Sequence, residues 1–407
     1  MEGKKSSQVE KLIDKGVKIN APDSIEIGDE VDLSRISGDG VRIFSGCRIF
    51  GSKTLILSGV KLGYEAPVTI DNCQLGPEVE LKGGYFKQAV FLGKNQAGLG
   101  SHVREATILE EQASIAHTVA LKQTILFPFV TLGSLINFCD CLMSGGTSRK
   151  NHSEVGSAYI HFNFTPSQDK ATASLIGDVP RGVMLNQNPI FLGGQGGMVG
   201  PCRLGFGITV AAGTIVRKDE IRSHRLIIGG DGKGVNVAFR PGQFRNEKRI
   251  FVNNINYIAN LIALKQWYEQ VRTLFISKRF PRALLEALQE KLDLAIEERI
   301  IRLETVCSKK PAGGRQGQTP ESSKPNREID ELWPEIKASL KMQPTDSATA
   351  ASRDEFLESI RQGISIHGQD YIRVIQGLDP ADSAKGTRWL QAIIDDIITG
   401  SQKVLPD

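Results

Sequence analysis

Nowhere in the 407 residues do eighteen apolar side chains run together, so no membrane-spanning helix is expected. The opening stretch MEGKKSSQVEKLIDKGVKIN lacks the apolar core of a secretion signal. No block of like charges marks a tail for nucleic acid or a membrane surface. A net charge of +4 is too slight to argue for nucleic acid by itself. Cysteine is scarce, with six in the chain, which fits a reducing compartment better than a disulfide framework. These absences lead us to expect a cytoplasmic protein with no nucleic-acid and no membrane partner. The length suggests two or three domains.

What the sequence does have is a step of six. Leu192, Met198, Leu204, Val210 and Val216 are six apart, as are Ile43, Ile49 and Leu55, and Leu109, Ile115 and Leu121. Glycine often follows the aliphatic residue, as at Gly28, Gly63, Gly76, Gly156 and Gly193. A small or β-branched side chain comes four residues after it, as at Val31, Cys47, Ala113 and Thr214. A helix repeats at about 3.6 residues and a strand alternates at 2, so neither accounts for the step. A chain wound around a triangular prism does: each side is one short strand, each corner a tight turn, and the aliphatic residue points inward. A β-sandwich would show alternation and turn signals about every 8–12 residues, which do not dominate here. Parallel crossovers are usually right-handed. The pattern resembles the hexapeptide repeats of left-handed parallel β-helices, and that resemblance implies the exception. Slips of register near 34–42, 64–67, 83–91 and 136–154 read as loops thrown out of the coil.

The rhythm stops after residue 227, and the expected class is mainly β followed by α. Phe251, Ile255, Ile258 and Ile262 take up helical spacing, continued by Leu264, Trp267, Val271 and Leu274. Pro281 suits a first helical turn. Leu285, Leu288, Leu292, Ile296, Ile300 and Leu303 then define a second helix. The expected organisation is an N-terminal segment 1–20, a coil 21–227, a linker 228–245 and a helical hairpin 246–309. A disordered linker 310–326 and a helical region 327–407 follow. Trp389, Ile393 and Ile397 share a face in the last of these. Such stripes suit core or contacts to a protein partner.

Two segments carry a more specific signal, GSAYIHFNFTPSQDKATASLIGD from Gly156 and IFLGGQGGMVGPCRLGFGITVAAGTIVRKD from Ile190. They resemble the last coils of the bifunctional N-acetylglucosamine-1-phosphate uridyltransferase / glucosamine-1-phosphate acetyltransferase family, and KLIDKGVKINAPDSIEIGDEVD is similar to the stretch joining that enzyme's halves. The resemblance covers about residues 10–220. It implies a homotrimer that binds acetyl-CoA between neighbouring prisms and acetylates the amine of an amino sugar phosphate. By position, Asn163 matches the family's asparagine, Phe164 its tyrosine and Lys170 its lysine. Gly194, Ala211 and Ala212 match backbone positions that line the coenzyme groove. Nothing resembles the glycine-rich loop of the uridyltransferase half, so that half and its activity are not expected.

The departures matter as much. The family's catalytic His falls on Asp140, or with a small shift on Phe138. His161 is the candidate base and His152 the alternate. The family's Pro-Phe-x-x-Leu-Arg becomes FPFVTLGS, so a phosphate-binding cation would have to come from Arg149, Lys150 or Arg181. Cys139 and Cys141 form a lone Cys-x-Cys and read as buried coil residues. A zinc site of the γ-carbonic anhydrase type from His102, His117 and His152 is not supported by their irregular spacing, and no metal is expected. The alternative to an acetyltransferase is a non-catalytic β-helix scaffold or a regulatory protein that binds a sugar nucleotide.

Overall fold

A computed structural model describes residues 2–163, 170–229, 247–308, 333–340 and 350–402. The six-residue step becomes a ladder. Along the first face of a prism Ile19, Ile43, Leu62, Leu81, Ala97, Ile115, Leu132, Val155, Leu192, Val210 and Ile227 stand each on the next in parallel register. Pairing Ala97 with Ile115, and Leu192 with Val210, sets one turn at three sides of six. Eleven strands follow chain order on this face. The second face runs through Arg48–Phe50, Gly84–Lys87 and Ile160–Phe162, the third through Ala89–Phe91, Thr107–Leu109 and Ser174–Ile176. The chain is a left-handed parallel β-helix of about eleven turns followed by a helical region.

Not every slip of register is a loop. Near 83–91 the strands Gly84–Lys87 and Ala89–Phe91 are separated by Gln88 alone. Gln88, at φ 48°, turns the corner in the left-handed region. Asn72, Ala106, Gln123 and Asp140, with φ between 51° and 62° or, for Gln123, at 48°, do the same at successive turns between the second and third faces. So tight is this corner that Ala120–Leu126 and Asn137–Met143 run through it as single strands joining the two faces. The slip near 136–154 combines such a strand with a hairpin, Gly146–Ser148 on Asn151–His152.

The coil starts at Lys18, inside the stretch expected as a separate N-terminal segment, because Val17 is buried and Lys18 N–H donates to Val41 O at 2.9 Å. Ahead of it α1, Glu2–Asp14, buries Val9 and Leu12 against the first turn. A single turn of helix, α2 at Val179–Gly182, lies in an excursion between the third and first faces. Then come α3 (Glu247–Gln270), α4 (Arg282–Ser308), α5 (333–340), α6 (Ala350–His367), α7 (Tyr371–Gln376) and α8 (Pro380–Gln402). The expected linker 310–326 and all but the first two residues of 228–245 lie outside the described residues. Trp267, Phe356 and Trp389 pack ring on ring in the helical core.

The helices cover the third face. Ala89–Phe91, Thr107–Leu109 and Ser174–Ile176 are buried at every residue, where first-face strands such as Thr209–Val210 bury only alternate ones. No helix among the described residues is long and apolar enough to cross a membrane.

Turns stack so closely that a Cβ on Gly76 would lie 2.1 Å from Leu92 O. Gly76→Ala is therefore expected to cost about 1–3 kcal/mol through overpacking. A thermal melt checks this, with the exposed Ala212→Ser unchanged as its control.

Candidate functional site

A corner of adjacent αL residues leaves its carbonyls and side chains converging, and one guanidinium gathers them. Arg299, from α4, is buried. Its Nη2 donates to Gln123 Oε1 at 2.7 Å and lies 2.9 Å from Asp140 Oδ1; its Nη1 donates to Lys170 O at 3.3 Å. Gln123, Asp140 and Lys170 all have positive φ. Asp140, the position matched to the family's base, is thus an internal ion pair closed over by a helix. Burial lifts its carboxyl above the usual carboxylate range, with Arg299 opposing the rise.

Asn163 is half-buried at the end of the second-face strand, and Lys170 is the next described residue. Phe164 and the residues after it through 169 lie outside the described residues. His161 must be corrected as a candidate base. It points into the prism, buried, with Nε2 2.9 Å from Ser174 Oγ and Phe138 beside it. Burial pushes its pKa down to about 4, against a weaker opposing pull from the Cys139 backbone. Among the described residues its ring is enclosed by the column. His152 lies instead on the hairpin, half-buried, with Nε2 4.0 Å from Glu154 Oε2. Its Nδ1 is buried without a hydrogen-bond partner.

The three cations differ in their commitments. Arg149 Nη1 donates to Gln112 O, Phe129 O and Thr131 Oγ1 at 2.8–3.0 Å, so this guanidinium braces the hairpin against earlier turns. Arg181 is paired with Asp178, three residues before it, and lies over the Phe206 ring. Lys150 is exposed at the hairpin tip. Both expected phosphate arginines therefore already serve the fold.

Gly194, Ala211 and Ala212 lie on the corner between the first and second faces. There a Cβ on Gly156 would sit 2.4 Å from Gly194 N, and one on Gly193 would sit 2.3 Å from Ala212 N. Only small residues let these turns stack, and they leave an exposed strip of backbone at Ala212 and Gly213. The expected site residues are thus spread over three corners: this strip, the Asn163–Lys170 loop, and the hairpin with Arg181. A side of five strand residues spans roughly 15 Å, so one prism does not bring the three sets together. His117 bonds Ser134 and His102 packs on Tyr85. Among the described residues no group of three His, Cys, Asp or Glu is placed to hold a metal ion.

Sequence reasoning missed Arg299, although its signal was present: it falls three residues after Ile296, on the apolar stripe of its helix. It also missed a second polar seam. Tyr268 of α3 donates to the buried Glu110, and Arg272 pairs with Glu111. Burial, with the Glu111 charge beside it, raises Glu110 to about 7.

No protein-family model matches the chain. It is similar to proteins named bifunctional protein GlmU. That of Thermotoga maritima is 24% identical over 213 residues, 52% of this chain and 42% of the relative. That of Pelobacter propionicus is 25% identical over 190 residues, 46% and 37% of the two chains. That of Nitratidesulfovibrio vulgaris is 22% identical over 230 residues, 56% and 45%. The match thus spans less than half the length of these curated relatives.

Two outcomes are expected. Asp140→Leu alone strands a buried guanidinium and costs about 3–5 kcal/mol, whereas Asp140→Leu with Arg299→Met recovers most of that loss in a denaturant melt. Because Glu110 holds its proton in the fold up to about 7, above the ordinary 4.5, its contribution to stability is full below pH 4.5. It is lost as pH rises through 7. Glu110→Gln removes that dependence, worth up to about 3 kcal/mol, in melts compared across the interval.

Proposed function

We propose that the protein transfers an acyl group, most simply acetyl, from acetyl-CoA to the amine of an amino sugar phosphate, acting as a homotrimer in the cytoplasm. The observation that carries this reading is the strip of small residues at Gly156, Gly194, Ala211 and Ala212, set within the segment most similar to the family. An extended pantetheine chain lies along such a flat rung, and Asn163 and Lys170 supply an amide and an ammonium for its polar groups. The three-corner distribution calls for neighbouring copies, because residues on different corners of one prism meet only across prisms. Apart from α1 at the first turn, two faces are free of described helices, and the second presents Ile160, Phe162 and Ile215 exposed. The cysteines Cys47, Cys73, Cys139, Cys141 and Cys202 are free and buried, in keeping with a reducing compartment.

In the reaction the amine nitrogen attacks the thioester carbonyl, the C–S bond breaks, and the coenzyme leaves as its thiolate. His152 takes the proton the amine sheds. Lys150 is the exposed cation available to the acceptor's phosphate.

The Asp140–Arg299 pair favours a second reading, a β-helix that binds a sugar nucleotide without turning it over. Thiol release from acetyl-CoA with glucosamine-1-phosphate separates the two. The expected result is turnover, with KM for acetyl-CoA raised about tenfold in Asn163→Ala and Lys170→Ala. His152→Ala is expected to lower kcat about a hundredfold. No turnover over a panel of amino sugar phosphates, with a sugar nucleotide still bound, would establish the second reading.

A further inference from the structure

The helices do more than cover the third face: between them and the coil lies a cavity of about 630 Å³. This lies in the usual range for small-molecule sites, roughly 300–1,000 Å³. It is remote from the Asn163 loop in the chain, formed by the corners at Pro77 and Gly93–Lys94 and by the turns that precede α4 and α7. Arg272 lines it. The guanidinium is 1% exposed and lies between the Tyr371 and Phe280 rings, 3.8 Å and 4.5 Å from their centroids. Its Nη2 engages Glu111, yet Nε and Nη1 are buried with no hydrogen-bond partner. An arginine has five donors, and leaving buried donors unpaired costs about 1–3 kcal/mol each.

Around this floor the charges are unequal. Five cations line the cavity, Arg272 with Lys94, Lys278, Arg279 and Arg373, against the carboxylates Glu111 and Asp370. Arg279 is drawn to Glu78 and Arg373 to Asp370. Lys94 and Lys278 stand exposed at the rim. A space this large also exceeds what an inorganic ion fills, and Leu92, Phe275 and Ile372 give part of it an apolar wall.

We infer that this cavity binds a small organic phosphate: its anionic group is held by Arg272, Lys94 and Lys278, and its carbon body lies against the apolar wall. Planar guanidinium and compact ammonium groups suit phosphate oxygens. The site is separate from the transfer reaction and stands or falls without it.

Isothermal titration of the full chain tests this with ADP, glucose 6-phosphate and inorganic phosphate as probes. The variant is Lys94→Glu with Lys278→Glu, at exposed positions that leave the fold intact by circular dichroism. Removing Arg272 would also break its Glu111 contact, so the rim pair carries the test. The expected result is binding of an organic phosphate, more tightly than inorganic phosphate, weakened at least about tenfold in the rim variant. Three results would overturn the inference: no binding of either organic probe at millimolar concentration, equal binding by the rim variant, or inorganic phosphate binding as tightly as the organic probes. Acetyl-CoA titrated into the same variant separates this failure from failure of the transfer reading.

Discussion

A guanidinium taken out of water has to be met on several sides, and Arg299 shows how far the architecture is arranged around that requirement. Its partners are Gln123, Asp140 and the Lys170 carbonyl, one from each of three successive levels of the prism. They converge because each sits in the left-handed conformation that closes the same corner. The corner's geometry and the helix's position therefore specify one another. Further along, Asn253 of α3 donates to the carboxylate of Asp219, and Asn260 accepts from Val179 N–H at the start of α2. The helical region is fixed to the coil by a series of buried polar contacts, each tied to a particular level. An apolar interface alone would fix it less specifically.

This arrangement bears on function by occupation. Covering the third face withdraws its strands from solvent and leaves the faces opposite α3 and α4 open. It also closes the corner at Asp140 with an ion pair. The Asp140 carboxylate is thus given over to holding the chain's own helices. His161 likewise serves the fold, a neutral imidazole that bonds Ser174 inside the column.

The coil was legible because its cause is local. Burying one aliphatic residue per side of a prism writes a period of six into the chain, and Leu192 to Val216 announce it without interruption. The corner at Gln88 was misread as a loop because a glutamine in the left-handed region leaves almost no mark in composition. Which way His161 faces is set by its pairing with the core residue Met198 on the next turn, a register the sequence around His161 does not display. Arg299 and Arg272 escaped notice for a related reason. A charged residue within an apolar stripe, as Arg299 is, or just beside one, as Arg272 is, gains meaning only when its partner, some 130 to 160 residues earlier in the chain, is known to lie opposite.

A stack of coils in which each turn touches only its neighbours behaves as a one-dimensional chain of weakly linked units, free to fray from either end. The helical region changes that. Arg279 reaches the turn of Glu78, Tyr268 that of Glu110, Arg299 that of Asp140, and Arg249 that of Asp219. Levels far apart along the prism axis are thereby joined through one helical body, as rungs are joined by a rail. Loss of any one level strains the contacts of the others, so turns that would come apart singly are bound to unfold together.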